Sequence, residues 1–220
     1  KILENTYRNV NIGLINEIGR LCNKMGISVW EVIEAAKTKP YGFQAFYPGP
    51  GLGGHCIPLD PYYLTWKARE YGFHTTLIES SMVINDSQPE YCVERIMHIL
   101  NRHKKAINGA RILMLGVAYK NDIDDYRESP AIRLFKELKN IGADVEYYDP
   151  WVSEFKNMYG ISAKSIETLS VEKVAGYDLV VIGAAHHNVD YDLVQKNAKM
   201  IFDTKNVMAD IKERGNIEVL

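Results

Sequence analysis

The sequence predicts an α/β protein in two parts, a mainly helical first part followed by a Rossmann-like, doubly wound parallel sheet. Apolar residues recur at helical spacing through most of the first hundred positions. From about Asn108 short apolar runs alternate with helical stretches, as in sheets built from right-handed crossovers. A run rich in glycine and proline, Tyr47 to Asp60 (YPGPGLGGHCIPLD), interrupts the helical part. The expected division is 1–107 and 108–220.

Leu3, Tyr7, Val10, Leu14, Ile18 and Leu21 set the period of a first helix that Gly26 stops. Its polar residues include the amides Asn5, Asn9, Asn11 and Asn16, which by spacing alone read as a solvated face; Lys1 and Asn5, four apart, share a side of it. Ser28 and Glu31 form a capping-box pattern that opens a second helix through Trp30, Val32, Ile33 and Ala36, ending near Lys39-Pro40. Trp66, Ala68 and Tyr71 suggest a short helix closed by Gly72. Thr76 to about Leu100 is helical again, with a new helix beginning at Pro89 and Ile84, Val93, Ile96, Met97 and Leu100 facing inward. The run Ala110–Tyr119 reads as a strand buried on both faces. Ser129-Pro130 then opens a helix through Ile132, Leu134, Phe135 and Leu138. Further strands are expected at Asp144–Tyr148, Tyr177–Ala184 and Lys199–Phe202.

The 220 residues are 46% hydrophobic and 25% charged, ordinary for a globular protein, and the net charge of −2 offers no attraction for nucleic acid. No apolar run approaches the roughly 18 residues of a spanning helix, so a membrane is not expected and the cytoplasm is the default location. Cys22, Cys56 and Cys92 are odd in number and lack CxxC spacing, which argues against a disulfide framework and a structural zinc site. His74, His98 and His103 are scattered, and Asp122, Asp124 and Asp125 lack the twelve-residue calcium loop, so no metal is expected.

In the Tyr47–Asp60 run Gly49, Gly51, Gly53 and Gly54 let backbone N–H groups approach a ligand, Pro48 and Pro50 stiffen the chain, and a helix does not readily form. Cys56 reads either as an inert packed thiol or as a reactive one. Ligands of doubly wound sheets sit beyond the carboxyl ends of the strands. That rule points to Tyr119, Lys120 and the loop to Glu128, to Asp149-Pro150, to His186-His187 and to Lys205. The dinucleotide fingerprint is missing after the first strand, which continues LGVAYKND. Lys120 or Arg127 could hold a phosphate there; equally, Lys120 could be a surface lysine and Arg127 a partner of Asp124, Asp125 or Glu128.

The runs KILENTYRNVNIGLINE, FYPGPGLGGHCIPLDPYYLTWKA and GVAYKNDIDDYRESPA, in this order, resemble the central and C-terminal parts of the UDP-glucose/GDP-mannose dehydrogenase family. The cysteine loop is most similar to the UDP-N-acetylglucosamine 6-dehydrogenase branch, with UDP-N-acetylmannosamine enzymes next. The resemblance implies oxidation of a C6 alcohol to a carboxylate with two NAD per turnover, through a thiohemiacetal and a thioester on Cys56. It implies that Lys1 and Asn5 stabilise the oxyanion and that Asp60 positions water or tunes proton transfer. The backbone from Tyr47 through Gly49 and Gly51 to Gly53 would embrace the nucleotide sugar, Tyr119 and Lys120 would contact its uridine and phosphate portion, and Arg127 would reach NAD. Lys205 stands where relatives commonly have arginine, so a bidentate contact is replaced by one compact charge. The family's N-terminal NAD-binding domain would precede Lys1, so this chain alone is expected to be inactive, while the central helices would pair subunits into a homodimer.

Two rivals are kept: a hydrolase or transferase pairing Cys56 with His186 or His187, and a non-catalytic nucleotide-sugar-binding or dimerisation module. Within the family, UDP-glucose and UDP-N-acetylmannosamine are the alternative substrates.

Overall fold

The computed structural model describes residues 1–220 and consists of two compact units, Lys1–Gln88 and Pro89–Leu220. The first unit holds α1 (Ile2–Met25), α2 (Val29–Lys37), α3 (Cys56–Glu70) and α4 (Thr76–Asp86). Gly26 closes α1 in the left-handed region at φ 70°, and Ser28 caps α2 by accepting the N–H of Glu31 at 3.4 Å.

α1 is oriented opposite to its apolar pattern. Its buried positions are Asn5, Thr6, Asn9, Gly13, Asn16, Gly19 and Cys22. Leu3, Tyr7, Leu14 and Leu21 are exposed, Leu3 by 80%. The amide face, expected to be solvated, is turned inward because it finds partners on α4. Ser81 Oγ donates to Asn9 Oδ1 at 2.9 Å, Asn85 Nδ2 to the Asn9 carbonyl at 3.0 Å, and Asn16 Nδ2 to Asn85 Oδ1 at 2.9 Å. Buried polar groups that are paired in this way carry no desolvation penalty of the unpaired kind. Gly13 lets the two helices approach. A Cβ there would lie 2.9 Å from the Ser81 Cβ and 3.1 Å from its carbonyl oxygen.

The Tyr47–Asp60 stretch is helical at its end, contrary to expectation. α3 starts at Cys56 and runs through the short helix expected around Trp66. Pro58 is tolerated in its first turn, where N–H groups have no intrahelical acceptor; Pro61 lies deeper, inside the helix.

In the second unit, α5 (Gln88–Arg102), which begins at the division, contributes Cys92, Ile96, Ile99 and Leu100 to the core; Met97, expected inward, is 43% exposed. There follow β1 (Arg111–Leu115), α6 (Pro130–Asn140), β2 (Asp144–Tyr148), β3 (Glu154–Met158), β4 (Ile161–Lys164), α7 (Val171–Gly176), β5 (Leu179–Ile182), α8 (Tyr191–Asn197), β6 (Ile201–Asp203) and β7 (Ile217–Val219). The main sheet has the order β2-β1-β5-β6-β7 with every neighbour parallel, and β3 and β4 form a separate antiparallel hairpin. Ile112 and Met114 of β1 enter one core layer while Leu113 and Leu115 enter the other. Burial on both faces is why this strand reads as a continuous apolar run rather than an alternating one.

The chain leaves β1 for β2 on one side and returns to β5 on the other, so the strand order reverses between β1 and β5. Gly116 and Gly183 bring the two strand ends together: a Cβ on Gly183 would lie 2.5 Å from the Gly116 carbonyl oxygen. No helix is long and apolar enough to cross a membrane.

Gly13→Ala should destabilise the protein by about 1–3 kcal/mol through overpacking against Ser81. Urea unfolding followed by helical circular dichroism measures it; an unchanged midpoint would mean that α1 and α4 separate without cost.

Candidate active site

In the first unit the candidates gather around the start of α3. Cys56 is exposed in its first turn, and Asp60, four residues on, lies on the same side of the helix. Asn5 reaches over from α1, its buried Nδ2 donating to Asp60 Oδ2 at 2.5 Å. Lys1 is exposed at the N-cap position of α1. The structure thus joins Asn5 and Asp60, 55 residues apart in sequence. Tyr47 is placed differently: its ring stacks on Trp30 with centroids 5.9 Å apart, and its hydroxyl donates to Glu34 Oε1 at 3.3 Å.

The segment before Cys56 is held from beneath by side chains that sequence reasoning left without a role. Gly49 N–H donates to Asn16 Oδ1 at 3.1 Å, and the Gly49 carbonyl accepts from Gln88 Nε2 at 2.9 Å. Arg20 Nε donates to Gln88 Oε1 at 2.7 Å and completes the chain of bonds. Both polar groups of the Gly49 backbone are therefore engaged, while Gly51 and Gly53 are half-buried. The signal in the sequence was the excess of amides in one helix, a residue type that otherwise prefers caps and turns.

In the second unit the loops after β1, β2 and β5 meet at the strand reversal. Asp149, buried, accepts the N–H groups of Val117 at 2.7 Å and Ala118 at 3.1 Å on Oδ2, and those of Trp151 and Val152 on Oδ1. His186, also buried, lies with Nε2 3.1 Å from Asp149 Oδ2, while its Nδ1 accepts the Asp122 N–H at 2.9 Å. The ring proton consequently sits on Nε2 and points at Asp149. The Asp122 carboxylate takes the backbone N–H of His187 at 2.9 Å and its ring Nδ1. Asn121 Oδ1 accepts from Ala185 N–H at 3.0 Å, and Tyr119 N–H donates to the Asp125 carbonyl at 3.1 Å. The loop carrying Tyr119 and Lys120 is pinned at both ends, with Lys120 itself exposed. Burial pushes the Asp149 carboxyl up, but the bonds from His186 and the backbone N–H groups outweigh it and hold the group below the usual aspartate range.

Arg127 is exposed by 64% at its side chain and forms a fork with Asp125, Nε to Oδ1 at 2.9 Å and Nη2 to Oδ2 at 2.7 Å. Lys205 follows β6, its N–H donating to Asp203 Oδ1 at 3.0 Å. Burial pushes its ammonium group down from the ordinary lysine value, with Cys92 and Asp203 acting in the other direction. Such a lysine is a more reluctant cation than one left in water. No group of three or more His, Cys, Asp or Glu side chains is placed to hold a metal ion.

Residues 1–87 match the central domain, and residues 113–210 the UDP binding domain, of the UDP-glucose/GDP-mannose dehydrogenase family. The chain belongs to this family. It is 34% identical to a UDP-N-acetyl-D-glucosamine 6-dehydrogenase of Pseudomonas aeruginosa over 96% of its own length and 49% of that protein's. It is 38% identical to a UDP-N-acetyl-D-mannosamine dehydrogenase of Methanocaldococcus jannaschii over 94% of its own length and 46% of the relative's. Among solved structures, a UDP-D-ManNAc dehydrogenase from Pyrococcus horikoshii superposes with a TM-score of 0.83 at 32% identity, covering all of this chain and 50% of that one. The chain thus spans about half the length of the curated relatives it matches. The UDP-binding match, which begins within β1, contains β5, β6 and all three pinned loops, so it includes the Asp149–His186 arrangement.

Because the folded Asp149 carboxyl titrates below its unfolded value of about 3.9, its stabilisation is complete above that value and is lost as pH falls through the lower folded one. Asp149→Asn should cost about 2–4 kcal/mol at neutral pH and flatten the acid limb of stability between about pH 4 and the folded titration. Urea midpoints measured from pH 3 to 7 would contradict this if the two proteins kept parallel profiles.

Proposed function

We propose that this chain carries the catalytic cysteine and the nucleotide-binding unit of an NAD-dependent UDP-N-acetylhexosamine 6-dehydrogenase, with UDP-N-acetylglucosamine as substrate and its mannosamine epimer as the alternative. The observation that carries the proposal is the contact of Asn5 with Asp60 on the same side of α3 as Cys56. It supports reading Cys56 and Asp60, together with Asn5 from far earlier in the sequence, as one reacting group.

In the first oxidation the C6 carbon would give up a hydride to the first NAD and the hydroxyl its proton to solvent, leaving an aldehyde. Cys56 Sγ then forms a bond to the aldehyde carbon, and the negative charge moves to the former carbonyl oxygen. The Lys1 ammonium and the Asn5 amide stabilise that oxyanion. The first-turn N–H groups of α3 favour an anion at the position of Cys56. Loss of hydride from the resulting thiohemiacetal leaves a thioester, and water attacks its carbonyl carbon, expelling Cys56 Sγ and giving the carboxylate. Asp60, fixed by Asn5, orients that water and takes up its proton.

Two NAD, bound in turn, would each take up one of the two hydrides. Arg127 is the residue of this chain that fits it: the fork to Asp125 engages one edge of the exposed guanidinium and leaves the other able to meet a phosphate. The resemblance assigns the principal NAD site to a Rossmann domain of the family, and the residues of this chain are proposed to supply the cysteine and the UDP-sugar site. Tyr119 and Lys120, on the pinned loop, hold the uridine and phosphate portion, and Lys205, after β6, is a further substrate-binding residue. The required thiol suits a reducing, cytoplasmic setting, and no disulfide joins the three cysteines.

Titration calorimetry of UDP-N-acetylglucosamine, UDP-N-acetylmannosamine and UDP-glucose against this chain should show preference for one N-acetyl sugar, weakened about tenfold or more by Lys120→Ala. In an enzyme assembled with the NAD-binding domain, Cys56→Ser should lower carboxylate formation by about 10³-fold or more. Retained turnover in that variant would overturn the cysteine mechanism, and absence of binding to all three sugars would overturn the assignment of the nucleotide unit.

The exposed Leu3, Tyr7, Leu14 and Leu21 stripe along α1 supports a homodimer, because steps of four and seven residues keep these side chains on one side over the whole helix. Leu14→Glu should convert a dimer to a monomer in sedimentation velocity at micromolar concentration. Identical sedimentation of both proteins would place the subunit contact elsewhere.

A further inference from the structure

Pro61 is the sixth residue of α3, and it has no N–H to donate. In an α-helix the N–H at position 61 would bond to the carbonyl at position 57. That carbonyl instead receives Asn9 Nδ2, from α1, at 3.2 Å. Asn9 is 1% exposed and its side chain is oriented from the other side, because Oδ1 accepts from Ser81 Oγ at 2.9 Å. The carbonyl that Asn9 serves belongs to the residue after Cys56, and the proline that creates the need follows Asp60. Both ends of the defect therefore adjoin residues of the proposed mechanism, Cys56 and Asp60.

We propose that Asn9 is a positioning residue for Cys56: its amide supplies the donor that Pro61 lacks and so fixes the first turn of α3 against α1. The role rests on the reading of Cys56 as the nucleophile, whereas the bond itself does not. Asn5 and Asn9, one turn apart on α1, hold two points one turn apart on α3, Asp60 and Ile57. The spacing between thiol and carboxylate is then set by two amides of one helix rather than by α3 alone, whose hydrogen-bond ladder is interrupted at this turn.

Hydrogen exchange by mass spectrometry on this chain, compared for Asn9→Ala, Pro61→Ala and the double variant, tests the bond. Asn9→Ala should speed exchange of the amides of residues 60 and 62–64 about tenfold while α2 and α6 stay as they were. Adding Pro61→Ala restores a backbone donor to the Ile57 carbonyl and should bring exchange back to within about threefold of the parent. The rate of iodoacetamide reaction at Cys56 should follow the same order, changed at least about threefold by Asn9→Ala and returned by the second substitution.

Asn9→Ser, too short to reach Ile57 but still polar toward Ser81, gives the same comparison if the alanine variant folds poorly. Unchanged exchange in the single variants, or a double variant no closer to the parent than Asn9→Ala, overturns the proposal. So does looser exchange with an unaltered Cys56 rate, which would leave Asn9 a stabilising residue only. Neither readout involves turnover, so these outcomes are separate from a failure of the dehydrogenase reading, which would appear as activity surviving Cys56→Ser.

Discussion

The first unit depends on α1 turning its amides inward. A helix that buries Asn5, Asn9 and Asn16 must satisfy each of them, because an unpaired amide away from water costs more than the bond it could have made is worth. The partners available are on α3, on α4 and in the glycine-proline segment, and each bond fixes one of those elements: Asp60 through Asn5, Ile57 through Asn9, Gly49 through Asn16. A leucine at any of these positions would pack without specifying direction. The amides specify register, since a donor and an acceptor must meet within a few tenths of an ångström.

The same choice explains the outer surface. With the polar stripe inside, the apolar stripe of α1 has nowhere to go but out, and a row of leucines and a tyrosine follows the helix for most of its length. A solvated amide face and a buried leucine face would have been the ordinary arrangement for an isolated globular unit. The inversion is intelligible in a helix whose inner side builds a site and whose outer side meets a second subunit, as proposed.

The second unit uses charge where the first uses amides. One carboxylate, Asp149, collects four backbone N–H groups and a ring nitrogen from three separate loops, and it stays ionised in spite of burial because those donors replace the water it lost. The loops that meet a ligand in a doubly wound sheet are long and otherwise weakly packed. Joining them through one buried anion lets Tyr119 and Lys120 stand at the surface on a rigid support. Gly116 and Gly183 serve the same end by letting two strand ends approach more closely than side chains allow.

Much of this architecture could be read from residue patterns. The continuous apolar run of β1, the Ser129-Pro130 start of α6 and the Ser28 cap of α2 are local signals, and local signals survive into the fold because neighbours in sequence cause them. The β3–β4 hairpin and β7 carry too few apolar residues to stand out. The start of α3 at Cys56 was hidden by Pro58 and Pro61 within it and by Gly53 and Gly54 just before it, whose propensities speak against a helix until tertiary bonds from Asn5 and Asn9 hold it. The candidate residues Cys56, Asn5 and Asp60 could be named by resemblance, yet nothing in their spacing required Asn5 to touch Asp60.

Residue order alone carries the period of α1, α2, α5 and α6, the parallel character of the sheet and the family to which the chain belongs. Which side of α1 faces inward was settled by packing against α3 and α4. Periodicity records that two faces differ, whereas burial depends on what each face meets, and here α4 and α3 offered hydrogen-bonding partners that made the polar face the better one to bury.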